Sequence, residues 1–157
     1  MDKNSKIKAL FFDIDGTLVS FQTHRIPQST VEALEKAKQN GVKIYISTGR
    51  PIILITNLGQ IEHLIDGYIT TNGARCFVEN HTVCQCPILR SDVEKVIEAA
   101  DRDDYSVIVV GEKHLAIHHL TPVVEKIFVE GLGVDSLDFQ TNIDDLKDED
   151  ILQLTPF

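Results

Sequence analysis

Short apolar runs that end in a polar or acidic residue, spaced by helix-length amphipathic stretches, constrain this chain more than any other feature of its sequence. Residues 7–13 read Ile-Lys-Ala-Leu-Phe-Phe-Asp, a nearly continuous apolar run closed by an acid, as a buried parallel strand would be. After Pro27, Ser29-Thr30-Val31-Glu32 has the form of a capping box, and Val31, Leu34 and Ala37 recur at helical spacing up to Gly41. Residues 42–47 form a second strand-like run. Pro51 then follows Thr48-Gly49-Arg50 where a first-turn proline of a second helix is expected, and residues 67–71 supply a third strand. Strand, helix, strand, helix, strand with short connections predicts an α/β fold built on a right-handed, doubly wound parallel sheet.

The pattern changes near residues 80–85. A strand-like stretch around 83–86 precedes Ser91-Asp92-Val93-Glu94, a second capping-box sequence. Residues 105–110 and 114–119 read as neighbouring strands across Gly111-Glu112-Lys113, and Thr121-Pro122 opens another helix. The last residues, 151–157, alternate like a half-buried strand; they are expected either to dock in a sheet or to begin a pattern that continues in a longer chain. Two regions follow, residues 1–81 and a small α+β module at 82–157, with no repeat or low-complexity linker between them.

Composition narrows the partners. A formal charge of -9 opposes binding to a polyanion such as nucleic acid, which needs clustered Lys and Arg. No apolar run approaches the roughly 20 residues that span a bilayer. Asp13 and Asp15 interrupt the N-terminal apolar patch before a signal-peptide core could form. Three cysteines without disulfide spacing predict free thiols, and the whole reads as cytoplasmic, without a membrane partner. His81, Cys84 and Cys86 lack four-ligand metal spacing, and surface or core thiols are the expectation. His118 and His119 are adjacent in a strand-like run, so they are expected to point to opposite faces as packing or surface residues.

The chemistry-bearing residues lie at strand ends. Asp13-Ile14-Asp15-Gly16-Thr17-Leu18 follows the first strand at its carboxyl end, where open parallel sheets place their ligands. Two acids two residues apart before a glycine can present a nucleophile and a proton donor, with a hard cation such as Mg2+ offsetting their repulsion of a phosphate. Taken alone, the run fits a calcium loop or a plain acidic turn equally well. Thr48-Gly49-Arg50-Pro51 ends the second strand, where a hydroxyl and the amides of a helix start would hold phosphate oxygens. Helix capping by Thr48 is the plainer alternative. The two runs on consecutive parallel strands are more specific than either alone.

Together with Asp-Gly-Tyr-Ile-Thr-Thr-Asn-Gly-Ala at 66–74, these runs resemble the haloacid dehalogenase superfamily, in particular its Cof-type sugar-phosphatase branch. The resemblance implies a partial Rossmann-like core over residues 1–81 and part of an inserted α/β cap over 82–157. It implies that Asp13 is the nucleophile of an aspartyl-phosphate mechanism and Asp15 the general acid and base. Thr48 and Gly49 would bind phosphate, Arg50 and Asn72 would lie near the substrate, and Mg2+ would be held by the Asp13 carboxylate and the Asp15 carbonyl. The substrate class implied is a small phosphorylated metabolite, a sugar phosphate above all. Such enzymes also use a lysine and a Gly-Asp-x-x-x-Asp cluster that follow the cap, and this chain has neither. Lys95, Lys113, Lys126 and Lys147 are expected on the surface, and the acids at 144, 145 and 148–150 in solvent or beside a helix start. A truncated, weakly active or inactive chain is therefore expected, with self-association through an exposed core edge. The rival expectation is a non-catalytic phosphate-binding module that needs a partner chain.

Overall fold

The computed structural model describes residues 7–79, 81–127 and 140–157, and the chain divides into two compact units. The first comprises the residues up to Arg50 together with Ile55–Gln85; the second comprises Pro51–Leu54 with Cys86–Phe157.

In the first unit, strands β1 (Ala9–Phe12), β2 (Lys43–Ser47), β3 (Gly67–Thr70), β4 (Arg75–Val78) and β5 (His81–Gln85) form one sheet in that order. The first three are parallel, with Phe12 opposite Ile46 and Ser47 opposite Ile69, as the sequence pattern predicts. Strands β4 and β5 then add antiparallel, which the pattern did not anticipate. Helix α1 (Gln28–Gln39) turns Val31 and Leu34 inward against Ile14, Leu18, Ile44, Ile46 and Ile61. Ile44 and Ile46 share one face of β2 and are fully buried, each contributing about 1.5–3 kcal/mol of burial free energy. On the opposite face Tyr45 stacks on Phe11, with ring centroids 4.9 Å apart.

Gly41 closes α1 as expected. Its amide donates to Lys38 O and that of Val42 to Ala37 O, the paired bonds of a Schellman motif, with Gly41 at φ 77°. The start differs from the capping-box expectation: Pro27 is the N-cap, its carbonyl accepting from Thr30 and Val31, and Ser29 already lies inside the helix. The second helix expected at Pro51 shrinks to 3-10 turns at Ile52–Leu54 and Glu62–Leu64. Ile52, Ile53, Ile55 and Thr56 are β-branched and Gly59 follows, so the segment lacks the propensity to sustain an α-helix.

The second unit carries a sheet in the order β8 (Gln140–Thr141), β7 (Leu115–His118), β6 (Val107–Gly111), β9 (Ile151–Pro156). The β6–β7 hairpin is the predicted one, and the final segment docks antiparallel on β6. Helix α2 (Arg90–Asp103) packs Val93 and Ala100 against Val107, Val109, Ala116 and Ile151. Its N-cap is Leu89, so Ser91 is no cap either. Helix α3 (Pro122–Lys126) does start as expected, with Thr121 Oγ1 accepting from Val124 N. The acidic run is more than solvated surface: Glu149 is half-buried, pairs with His114 Nδ1 and accepts from the amides of Lys113 and His114, closing the hairpin turn. Lys95, Lys113, Lys126 and Lys147 are exposed.

His118 and His119 do not point to opposite faces. β7 ends at His118, and His119 takes a left-handed φ of 54°, which swings its ring round to stack on that of His118 at 4.1 Å. Cys76, Cys84 and Cys86 form no disulfide, as expected. No described helix is long and apolar enough to cross a membrane.

Candidate active site

Because β1, β2 and β3 are parallel and in register, the loops that follow them emerge at one edge of the sheet. The turn after β1 is wound around one carbonyl: Ile14 O accepts from Leu18 N at 3.1 Å and Val19 N at 2.9 Å, while Gly16 N donates to Val19 O at 3.0 Å. Ile14 and Leu18 are buried and pin the turn to the core, so the flanking acids face outward, Asp13 exposed and Asp15 partly so. Gly16 sits at φ 74°, a conformation that costs an L side chain roughly 1–2 kcal/mol.

The loop after β2 is held from both sides. Thr48 N donates to Ile69 O at 2.9 Å, Thr48 Oγ1 accepts from Arg50 N at 3.2 Å, and Arg50 O accepts from Thr71 N at 3.1 Å. Thr48 and Arg50 are both buried. The Thr48 hydroxyl uses a lone pair on Arg50, which leaves its proton to offer an incoming oxygen. Arg50 grips Asp15 as a fork, Nε to Oδ2 at 2.8 Å and Nη2 to Oδ1 at 2.6 Å. Such bidentate, charge-assisted pairs fix orientation as well as supply energy.

After β3 the chain makes a left-handed turn through Thr71, Asn72 and Gly73, with φ of 54°, 53° and 92°. For β-branched Thr71 this is an outlier, and backbone held this way is characteristic of sites where geometry is imposed by function. The turn lays Asn72 on Gly49: a Cβ at position 49 would lie 2.9 Å from Asn72 Oδ1. Asp66, from the same sequence run, sits at the other end of β3, bonded to Lys38 Nζ at 2.6 Å, Lys43 Nζ at 2.9 Å and Ile44 N at 2.8 Å.

Of the residues singled out in the sequence, Asp15 and Arg50 thus meet directly, Thr48 and Arg50 share a loop, and Gly49 and Asn72 pack together. Asp13 begins the same turn as Asp15. The helix dipole expected behind Thr48 is reduced to one 3-10 turn. The Asp15–Arg50 pairing was not read from the sequence, because it joins residues 35 positions apart. His81, Cys84 and Cys86 do not converge; among the described residues the one His/Cys/acid group is Asp101, His118 and His119.

Comparison with known proteins identifies the fold and the family. A solved structure from a study of trigonal-bipyramidal intermediates in a phosphoryl-transfer superfamily superposes with a TM-score of 0.86 at 42% identity, over 97% of this chain and 59% of the other. The subclass IIB sugar phosphatase BT4131 gives 0.84 at 43% identity, over 96% and 58%. YkrA of Bacillus subtilis (strain 168), named as a candidate phosphatase, is 28% identical over 96% of this chain and 57% of its own length. The chain therefore spans less than three-fifths of each of these relatives. The haloacid dehalogenase-like hydrolase family model matches residues 10–156, nearly the full length, and with the strand-end loops arranged as they are the chain belongs to that family.

Proposed function

We propose that this chain carries the phosphate-handling half-site of a magnesium-dependent phosphatase acting on a small phosphorylated metabolite, with a sugar phosphate as the favoured class. The observation that carries this reading is the shared strand-end edge, where the Asp13–Asp15 turn meets the Thr48–Arg50 loop through the Arg50 fork. Asp13 Oδ attacks phosphorus, the ester oxygen leaves with a proton from Asp15, and an aspartyl phosphate remains. Asp15 then takes a proton from the attacking water, and inorganic phosphate departs. Thr48 Oγ and the Gly49 amide hold non-transferred oxygens, and Asn72 lies where it can orient the substrate. The fork positions Asp15 and uses one lone pair on each of its oxygens, which leaves the others for proton exchange with a substrate.

The donors suit a hard cation, since the Asp13 carboxylate and the Asp15 main-chain carbonyl are oxygens, while the Asp15 side chain is engaged by Arg50. Bound there, Mg2+ supplies charge neutralisation between carboxylate and phosphate. The unit containing Asp13 is read as the catalytic core, expected over residues 1–81 but running to Gln85 and leaving out Pro51–Leu54, and the second unit as cap, whose side chains would set substrate choice. The likeness to the sugar phosphatase BT4131 supports the sugar-phosphate class, and the phosphoryl-transfer relative supports the reaction type alone.

Magnesium-dependent hydrolysis of an aryl phosphate, measured beside Asp13→Asn, tests the proposal. Turnover abolished by the substitution supports it. Turnover that survives Asp13→Asn rejects Asp13 as nucleophile. Absent turnover with magnesium-dependent phosphate binding that Asp13→Asn removes would identify a phosphate-binding module that needs a partner chain.

A further inference from the structure

The second unit contains a cluster that the phosphatase chemistry does not use. Asp101 lies in the last turn of α2, and both imidazoles of the β7 end are aimed at one of its oxygens: His118 Nε2 is 2.7 Å and His119 Nε2 3.1 Å from Asp101 Oδ1. The arrangement is built, because adjacent strand residues would otherwise diverge. His119 is held in its left-handed conformation by Ser106, a buried residue whose Oγ donates to His119 O at 2.5 Å and lies 3.3 Å from Thr121 Oγ1. A strained backbone fixed by a buried hydroxyl, for the sake of bringing two imidazoles side by side, calls for a function.

We propose that Asp101, His118 and His119 form a binding site for a zinc-class divalent ion. Four-coordinate zinc with nitrogen and oxygen ligands at about 2.0–2.1 Å separates its ligand atoms by about 3.3 Å, so admitting the ion takes an outward shift at Asp101 together with a turn of the two stacked rings that brings their lone pairs onto it. Two imidazoles and one carboxylate select zinc, cobalt, nickel or copper over magnesium, which distinguishes this site from the oxygen-only donors at Asp13 and Asp15. The carbonyls at the C-terminal end of α2 add negative potential, and the Asp101 side chain, 56% exposed, gives an entry path. Three protein ligands leave a fourth position for water or an anion. His119 must carry its proton on Nδ1 to ligate through Nε2, and that buried atom has no protein hydrogen-bond partner. This cost keeps the site weaker than a closed structural zinc site, so the ion exchanges and chelators remove it.

The test is calorimetric titration of the EDTA-stripped chain with zinc, alongside Asp101→Asn and His118→Gln and a Cys84→Ser/Cys86→Ser control, with cobalt(II) absorption as the coordination signature. One equivalent is expected to bind in excess magnesium, with visible cobalt bands and no thiolate charge-transfer absorption. Each triad substitution should weaken binding by roughly tenfold or more, and the cysteine control should leave it unchanged. Asp101 is exposed, so Asp101→Asn is expected to retain the fold, checked by circular dichroism without metal. No zinc binding, binding unaffected by both triad substitutions, or binding lost in the cysteine control would overturn the assignment.

Discussion

Arg50 is nine-tenths buried, and Asp15 meets its guanidinium with both carboxylate oxygens, which offsets the cost of burying the charge. Lysine would keep the charge but cannot span the two oxygens in one plane. Arg50→Lys is therefore expected to lower magnesium-dependent phosphatase turnover on the order of tenfold and to lower the melting temperature with it, since the bidentate pair is lost. Unchanged turnover would show that the fork does not position Asp15 for chemistry. Asp13, Asp15, Thr48 and Gly49 could be picked out in the sequence because local spacing after a strand announces them. The fork could not, since nothing local marks Arg50 as the partner of a residue on another loop. Asn72-Gly73 carries a readable signal for left-handed backbone, but Thr71, the costlier member of that turn, carries none.

Helix boundaries show how tertiary contacts override local signals. Both capping-box sequences lie one turn-position inside their helices, and for α2 the cause is visible in Arg90. Its Nη2 donates to Leu146 O at 3.1 Å, Lys147 O at 2.6 Å and Glu149 O at 3.0 Å, tying the helix start to the loop that leads into β9. That anchor draws Arg90 into helical conformation ahead of Ser91, leaving Leu89 O to accept from Asp92 and Val93. Arg90→Met should retain the stem's packing but lose all three bonds, costing about 1–2 kcal/mol for a partly exposed clamp. Urea unfolding would read the loss, and hydrogen exchange should rise at 142–149 before it rises in β6; uniform exchange across the unit would contradict a local clamp. Strands fared better than helices in the sequence because their apolar runs are set by burial in the sheet, whereas the segment after Pro51 lost its helix to β-branched residues that the proline signal does not count.

For the molecule as a whole, each unit has a carboxylate whose native environment favours its ionised form, Asp66 in the first and Glu149 in the second. Burial alone would raise the Asp66 carboxyl, but Lys38, the Ile44 amide and Lys43 outweigh it and bring its pKa from 3.8 to about 2. Burial likewise opposes ionisation of Glu149, and His114 with the amides of Lys113 and His114 holds it below the usual carboxylate range. A depressed folded-state pKa means that the native chain resists protonation more than the unfolded one, so each group stabilises the fold fully above its ordinary pKa and loses that contribution as pH falls through the folded value. For Asp66 the window runs from near 3.8 down to about 2, and with the carboxylate side chain only 13% exposed the shift corresponds to about 2 kcal/mol. This explains how the Asp-Gly-Tyr-Ile-Thr-Thr-Asn-Gly run divides its labour: Asp66 latches β2 and α1 at one end of β3, while Thr71 and Asn72 shape the other. Asp66→Asn should therefore lower stability at pH 7 by about 2 kcal/mol and flatten the decline between pH 4 and pH 2. Urea denaturation followed by circular dichroism across that range reads both effects, and a variant curve running parallel to the wild type would show that the latch is not the source of the acid sensitivity.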